Sequence, residues 1–280
     1  MGRAIGPIGE IAVTGCQVGR SIGMKTPFLL LLAVGLSAQT ADKQMTCEGK
    51  WGGDRARSCK IQEFGLGVLG RVSVDAGHNG GVTVKGWTQG KTLVRAKVEA
   101  WAASDSEASL LAGQVQVETA SGLLRATGPE TGDGRGWAVS WEVFVPQATD
   151  LALTAHNGGV QVSDVRGRLT AKTHNGGVRL TRVAGEVSGT SHNGGIHVEL
   201  AGEMTGALQL TTYNGGIHLA VPRAGGARVH AETNNGGIQS DFAMPETRER
   251  RQRNVDFTIG AGGPTVSLKT NNGGVQIRKL

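Results

Sequence analysis

The 280-residue sequence predicts an all-β fold, a stacked-strand β-solenoid with about 18–21 residues per coil and a small α/β insertion. The first observation behind this prediction is a phrase, Asn-Gly-Gly followed by Val or Ile, that occurs seven times. Its asparagines are Asn79, Asn157, Asn175, Asn193, Asn214, Asn235 and Asn272. The second observation is their spacing, which from the second copy onward is 18, 18, 21, 21 and 37 residues. The third is that apolar and polar residues alternate on both sides of each phrase, which is typical of strands with one buried face.

Aligning the copies on the asparagine predicts which residues are buried. Six positions before it stand Leu151, Leu169, Val187, Leu208, Val229 and Val266. Three positions after it stand Val160, Val178, Ile196, Ile217, Ile238 and Val275. In the first copy, Val72 and Val74 are one residue out of step, so we expect a terminal unit with different pairing.

Two architectures fit these repeats. Asn-Gly is a strong tight-turn signal because both residues tolerate positive φ, so each phrase could close a hairpin in an antiparallel β-sandwich. Alternatively, each phrase is a corner of a solenoid whose equivalent strands stack in parallel. The near-constant period favours stacking, which would place like residues about 4.8 Å apart and the asparagines in an amide ladder.

Residues 1–38 are predicted to be a leader and signal peptide. Met24, the predicted true start, and Lys25 precede the short apolar run Phe28–Leu36, and small residues end it near Ala38, as in secretory signals. The alternative is a buried core helix, but nothing nearby supplies an amphipathic partner. The run is too short to cross a bilayer. We therefore expect an exported protein of the periplasm or cell surface, with no transmembrane span in the mature chain.

Residues 39–70 are predicted to form a disulfide-bearing segment. Export leaves Cys47 and Cys59 as a pair in an oxidising compartment, which favours a disulfide worth roughly 3 kcal/mol in the chain-entropy model. The alternative, free thiols or half of a metal site, lacks further cysteines or a nearby histidine.

Residues 71–280 are predicted to be the repeat domain, interrupted by an insertion at 88–150 that could cap the stack. Within it, Ser104–Ala112 indicates a helix, and alternation predicts strands over Thr92–Trp101, Gln114–Thr119, Leu123–Thr127 and Trp137–Val145. Met244–Asn254 is polar and rich in arginine, and predicts a loop. The last repeat has no obvious cap, so we expect an exposed C-terminal coil and possible end-to-end self-association.

The charge of the chain is mildly basic, at +6. Nucleic-acid binding would require a basic stripe with base-stacking aromatic residues, and the repeats provide neither. We therefore predict no nucleic-acid partner, while electrostatic contact with an anionic surface polymer stays open.

The order of these features resembles a known bacterial family. The export signal, the cysteine pair, the Val94–Ala100 strand, the Trp141–Pro146 segment and the Asn-Gly-Gly phrases together are similar to the exported β-strand-repeat family labelled putative adhesin, a domain of unknown function. The resemblance covers roughly residues 47–280. It implies a stacked-strand fold outside the cytoplasm and carries over no catalytic residues.

Two outward columns are the candidate binding residues. Directly before the asparagines stand His156, His174, His192 and Tyr213, and four positions after them stand Arg179, His197 and His218. Stacked imidazoles could share a divalent metal, but a line of identical residues on a flat face gives poor tetrahedral geometry. We predict no metal site and no cofactor. Solvated surface decoration is the simplest alternative for both columns.

The predicted function is non-catalytic: an adhesion or scaffold protein that presents polar ladders to an unknown polysaccharide or protein at the cell envelope. The alternative is a carbohydrate-active parallel β-helix enzyme, a polysaccharide lyase or hydrolase. Glycoside chemistry needs paired carboxylates about 5 to 9.5 Å apart. The acids of the repeats fall in different columns, and they are Asp164, Glu186, Glu199, Glu203, Glu232 and Asp241.

Overall fold

The computed structural model describes residues 45–48, 55–132, 134–223, 226–245 and 253–280. All of them belong to one compact unit, Lys43–Leu280. The predicted leader and signal peptide lie outside the described residues, as does the central part of the predicted Arg-rich loop, residues 246–252.

The strands, numbered along the chain, form two ten-stranded sheets. In spatial order the first sheet contains β1 (Ala56–Leu66), β4 (Thr92–Ala102), β7 (Gly136–Pro146), β3 (Val82–Trp87), β9 (Val160–Ser163), β11 (Val178–Val183), β13 (Ile196–Leu200), β15 (Ile217–Val221), β20 (Val275–Lys279) and β17 (Ile238–Ser240). The second contains β18 (Asn254–Ile259), β16 (Ala227–Thr233), β19 (Thr265–Thr270), β14 (Leu208–Thr212), β12 (Val187–Ser191), β10 (Leu169–Thr173), β8 (Asp150–Ala155), β2 (Arg71–Asp75), β6 (Leu123–Thr127) and β5 (Gln116–Glu118).

Each Asn-Gly-Gly phrase is a corner that carries the chain from the second sheet to the first. The strands on either side of a phrase pair with the equivalent strands of the neighbouring repeats, in parallel, and not with each other: Leu169 lies opposite Val187 in one sheet and Val178 opposite Ile196 in the other. The all-β fold with long sheets of mostly parallel stacked strands is therefore confirmed, and the sandwich of Asn-Gly hairpins is wrong.

The aliphatic columns fill the space between the two sheets. Every residue predicted at the two aligned positions is buried, from Val160 at 0% exposure to Ile238 at 6%. The buried positions alternate with outward ones along each strand, so one face of each sheet makes the core.

Close backbone approach at the corners explains the first glycine of each phrase. A Cβ on Gly176 would overlap the carbonyl oxygen of Gly158 in the preceding corner and lie 2.6 Å from its carbonyl carbon. Gly194 stands in the same relation to Gly176. No residue with a side chain fits there unless the corners move apart.

Buried hydroxyls reinforce this packing. The Oγ1 atom of Thr173 donates to the carbonyl oxygen of Gly158 over 2.7 Å, and Ser191 and Thr212 donate to the corresponding glycines Gly176 and Gly194 over 2.8 Å. Each of these hydrogen bonds gives a partner both to the hydroxyl group and to a carbonyl group of the corner. Neither group then has the cost of being buried without a hydrogen bond.

The last repeat of the sequence is not the last coil of the stack. Strand β19 lies between β14 and β16, and β20 lies between β15 and β17. The prediction that the C-terminal coil is an exposed end is therefore wrong. The physical reason is the pairing of β16: β18 occupies one edge of it in antiparallel register, and its other edge accepts β19.

The segment between β3 and β8 extends the stack at its N-terminal end. Its predicted elements are confirmed as β4, β5, β6, β7 and the helix α1 (Asp105–Gln114), which Ser104 caps by accepting from the Glu107 N–H over 3.3 Å. Strand β7 pairs in parallel with β3, while β4 and β1 pair antiparallel beyond it. The helix contacts β1 and β4 and buries Leu111.

The first copy of the phrase joins the stack in ordinary register on one side. Val72 lies opposite Leu151 and Val82 opposite Val160. Its extra residue is taken up at the corner, where Gly77 has a φ of +62°. On its other side it pairs with β6 and β7, so the pairing there differs, as predicted. The prediction that this unit is terminal is wrong, because further strands lie beyond it in both sheets.

The disulfide between Cys47 and Cys59 is confirmed, with a Cα–Cα distance of 5.7 Å. It links the segment 45–48 to β1. In the part of the chain that the structure describes, no helix has both the length and the apolar character that a membrane span requires.

Replacing Gly176 by Ala tests the corner contact. We expect the free energy of unfolding to fall by at least about 2 kcal/mol, because the new methyl group overlaps backbone that cannot rotate away. Chemical denaturation measures the loss. Gly237→Ala is the matched control, since a Cβ there meets nothing within 4 Å. Equal stability of the two variants would contradict the packing described.

Candidate binding surface along the asparagine corner

Seven asparagine side chains form one continuous amide ladder, which we call the asparagine corner. Each Nδ2 except that of Asn79 donates to the Oδ1 of the neighbouring coil over 2.7–2.9 Å, in the spatial order Asn235, Asn272, Asn214, Asn193, Asn175, Asn157, Asn79. All six hydrogen bonds point the same way along the stack. The backbone follows the same register, because the Asn175 N–H donates to the His156 carbonyl oxygen over 2.7 Å.

Beside this ladder lies a column of stacked rings, the corner column: His78, His156, His174, His192 and Tyr213. The ring centroids of His156, His174 and His192 are 4.7–4.8 Å apart, with planes within 5° of parallel. Tyr213 continues the stack 5.1 Å from His192, and half of it is exposed. His78 meets His156 edge-on, at 63°. The structure thus brings together four predicted residues: His156, His174, His192 and Tyr213.

The second predicted column runs along the outer face of the first sheet and is called the strand column. Arg179 lies opposite His197, and His197 opposite His218, on β11, β13 and β15. The two imidazole centroids are 4.5 Å apart with nearly parallel planes. The His197 Nε2 atom lies only 3.5 Å from where a Cβ on Gly195 would stand, so the ring folds back over the corner glycine.

The strand column affects the protonation of His197. Burial lowers the pKa of His197 below its ordinary value of 6.5, and the neighbouring His218 and Arg179 lower it further because a positive charge there opposes another one. A neutral imidazole offers one donor and one acceptor, which suits hydrogen bonding to hydroxyl or amide groups.

A shallow groove accompanies the strand column, with a volume of about 180 Å³. Its walls include the imidazoles of His197 and His218. They also include a second row, two residues further along the strands, in which the small Ala220 lies between Glu199 and Arg278. This second outward row was not among the predicted binding residues. The signal was available, because residues two apart on a strand share a face.

Most acids of the repeats serve ion pairs. Asp164 accepts two hydrogen bonds of 2.6 Å from Arg182, Glu186 pairs with Arg168 at 3.0 Å, and Glu232 pairs with Lys269 at 3.2 Å. Among the described residues, no group of three or more His, Cys, Asp or Glu side chains is arranged to hold a metal ion. The amides and rings of the corner offer hydrogen bonding and ring contact.

These features define a class: a repetitive protein of stacked parallel strands that lines up one side chain per coil. The chain belongs to the Toastrack DUF4097 family, whose match spans residues 68–278. The resemblance to the β-strand-repeat family labelled putative adhesin is thereby confirmed.

The solved structures to which the chain is similar are distant in sequence. One is described as a putative cell adhesion protein from Clostridium sporogenes, with 12% identity and a TM-score of 0.39 over 79% of this chain and 100% of that chain. Putative adhesins from Bacteroides fragilis (10% identity, TM-score 0.32, 80% and 97% covered) and Parabacteroides merdae (12%, 0.35, 79% and 96%) are also similar. No curated protein matches the sequence significantly.

Changing Arg179 to Gln tests the electrostatics of the strand column. We expect the pKa of His197 to rise toward 6.5, because one of the positive charges that opposes its protonation is removed. Titration of the ring protons by NMR measures it, and Arg166→Gln, at the opposite corner of the coil, is the control. A pKa that stays fixed would contradict the arrangement.

The same shift predicts a pH dependence of stability. Since the folded pKa of His197 lies below the unfolded one, the unfolded chain binds more protons as the pH falls from about 6.5 through the lowered folded value. The contribution of His197 to the free energy of unfolding is therefore complete above about pH 6.5. It is lost as the pH falls from there to the lowered folded pKa.

Proposed function

We propose that this protein is a non-catalytic, exported adhesion or scaffold protein that binds a linear polymer of the cell envelope along the asparagine corner. One observation carries the proposal: four rings of the corner column, the side chains of the strand column and seven amides all repeat at the spacing of one coil. A regular array of this kind matches a ligand that is itself regular.

Repetition supports a polymeric ligand through multivalency. A single imidazole or amide contact is weak, but successive units of one chain bind at a high effective concentration once the first is held. Aromatic ring contacts contribute about 0.5–1.5 kcal/mol each beyond the area they bury. Several equal contacts along the corner therefore provide useful affinity where one would not. A protein with a repeating edge could engage the same array.

The charge pattern of the repeats supports binding over catalysis. Hydrolysis of a glycosidic bond requires two carboxyl groups that face one reacting bond. Here Asp164, Glu186 and Glu232 are each engaged by a cation, and Asp241 accepts from Arg278 over 3.4 Å. Export is supported by the Cys47–Cys59 disulfide, since such bonds persist in oxidising compartments.

Replacing His156, His174 and His192 together with Ala tests this function. Surface plasmon resonance against immobilised neutral and acidic polysaccharides measures binding, and a reducing-end assay detects cleavage. We expect the unaltered protein to bind without cleaving and the triple variant to bind at least about tenfold more weakly, because three ring contacts are lost.

His230→Ala is the matched control, because His230 lies on β16 of the second sheet, where it contacts Asp256 at 2.8 Å. Unchanged binding by the triple variant, or no binding of any polysaccharide by the unaltered protein, would refute polymer binding at the corner. Release of reducing ends would instead favour the carbohydrate-active enzyme.

A further inference from the structure

A cavity of about 370 Å³ opens on the outer face of the first sheet at the N-terminal end of the asparagine corner. It is lined by Arg55, Arg57, Asn79, Glu99, Trp101 and Ser140, with Ala138 among them. Its size falls in the range of small-molecule sites, which are about 300–1,000 Å³. Small residues of β7 make the room, since Ala138 lies opposite Glu99 and Gly136 opposite Trp101.

Trp101 supplies an apolar wall. Its indole lies across Gly136 so closely that a Cβ there would stand 2.6 Å from the Cζ2 atom of the ring. The Nε1–H has no acceptor among the residues that the structure describes, so it is available to a ligand. A flat apolar ring with a polar edge suits a ligand that is itself apolar on one side and polar at its rim.

The direction of the amide ladder leaves a donor at the cavity. The Nδ2 atoms of the other six ladder asparagines donate toward the N-terminal end of the stack, and the Oδ1 atom of Asn79 accepts the last of these bonds, from Asn157. The Nδ2 atom of Asn79 therefore has no further asparagine to meet, and it has no acceptor within the described ranges. Six cooperating bonds end in this one amide.

The polar groups around the cavity are mostly donors. The guanidinium group of Arg55, the Nδ2 group of Asn79 and the Trp101 N–H can only donate. Among the described residues that line the cavity, the one carboxylate is that of Glu99, and Lys97 engages it at 3.1 Å. A ligand that complements this set carries acceptors and a negative charge, because guanidinium groups bind carboxylates in a strong and oriented way.

We propose that this cavity binds an acidic saccharide, a hexuronic acid unit of a polysaccharide. Its ring contacts Trp101, its carboxylate meets the Arg55 guanidinium, and its hydroxyl groups accept from Asn79 and exchange hydrogen bonds with Ser140. The proposal rests on the proposed function, for which it names the ligand class. A chain laid along the asparagine corner would reach the cavity at one end.

Isothermal titration of the whole protein with trigalacturonate tests the assignment. The matched ligand is its methyl ester, which keeps the rings and removes the charge. We expect trigalacturonate to bind and the ester to bind at least about tenfold more weakly, because the charge-assisted hydrogen bonds are lost. Absence of trigalacturonate binding, or equal affinity for the ester, overturns the proposal.

Two variants locate the site. Asn79→Asp keeps the acceptor for Asn157 but replaces the terminal donor by a carboxylate, so trigalacturonate should bind at least about tenfold more weakly. Trp101→Ala should weaken binding by a comparable factor, and Trp87→Ala is its control, because the Trp87 ring lies outside the cavity against Phe144. Thermal unfolding checks that each variant is folded. If Trp101→Ala does not fold, the result for Asn79→Asp alone tests whether trigalacturonate binds in the cavity.

The outcomes separate the two proposals. If Asn79→Asp and Trp101→Ala bind trigalacturonate like the unaltered protein, the cavity assignment is wrong, whatever the corner column does. If Asn79→Asp and Trp101→Ala lose trigalacturonate binding while the histidine triple variant binds polysaccharides normally, the cavity assignment is supported. The corner column is then not the binding surface.

Discussion

The close backbone contact between successive corners is the constraint on which the rest of the structure depends. At the first glycine of each phrase, one coil lies against the carbonyl group of the next with no space for a side chain, as between Gly176 and Gly158. This contact fixes the register of neighbouring coils to the residue. The ladders follow from it: amides over amides, hydroxyls over carbonyl groups, and imidazoles over imidazoles.

A register fixed in this way turns single side chains into extended surfaces. No residue of the corner column is a site by itself, because one exposed imidazole on a strand is an ordinary feature. Stacking gives it neighbours at one-coil spacing on the same face, and the repeated pattern then offers a linear ligand many equal contacts. The cavity at Asn79 differs, because it forms where the repetition ends and where the amide ladder leaves a donor.

The burial pattern of the repeats was predictable from the sequence, because it depends only on strand alternation and on the recurring phrase. Leu151, Val178 and Ile217 illustrate this, and each is buried as expected. The strand β1 was not predicted, because it is an edge strand whose inward positions include polar residues such as Lys60 and Gln62. Its place is determined by pairing with β4, far along the chain.

The order of the last coils in the stack could not be predicted from the sequence either. The spacing of 37 residues between Asn235 and Asn272 is close to two periods, yet that segment contains β18 instead of a further coil. Which edge of β16 receives β18 is decided by long-range pairing, and no local pattern records it. The cavity at Trp101 was missed for the same reason, since Arg57, Trp101 and Gly136 meet only across paired strands.

Cysteine cross-linking tests the register and the coil order most directly. Residues 218 and 276 lie opposite each other on adjacent strands, as do 276 and 239, whereas 218 and 239 are two strands apart. Adjacent strands lie about 4.8 Å apart, within the range of a disulfide, and two spacings exceed it. We expect His218→Cys with Gln276→Cys to cross-link on oxidation, detected by peptide mass spectrometry, and His218→Cys with Gln239→Cys not to. Cross-linking of the second pair in place of the first would contradict it.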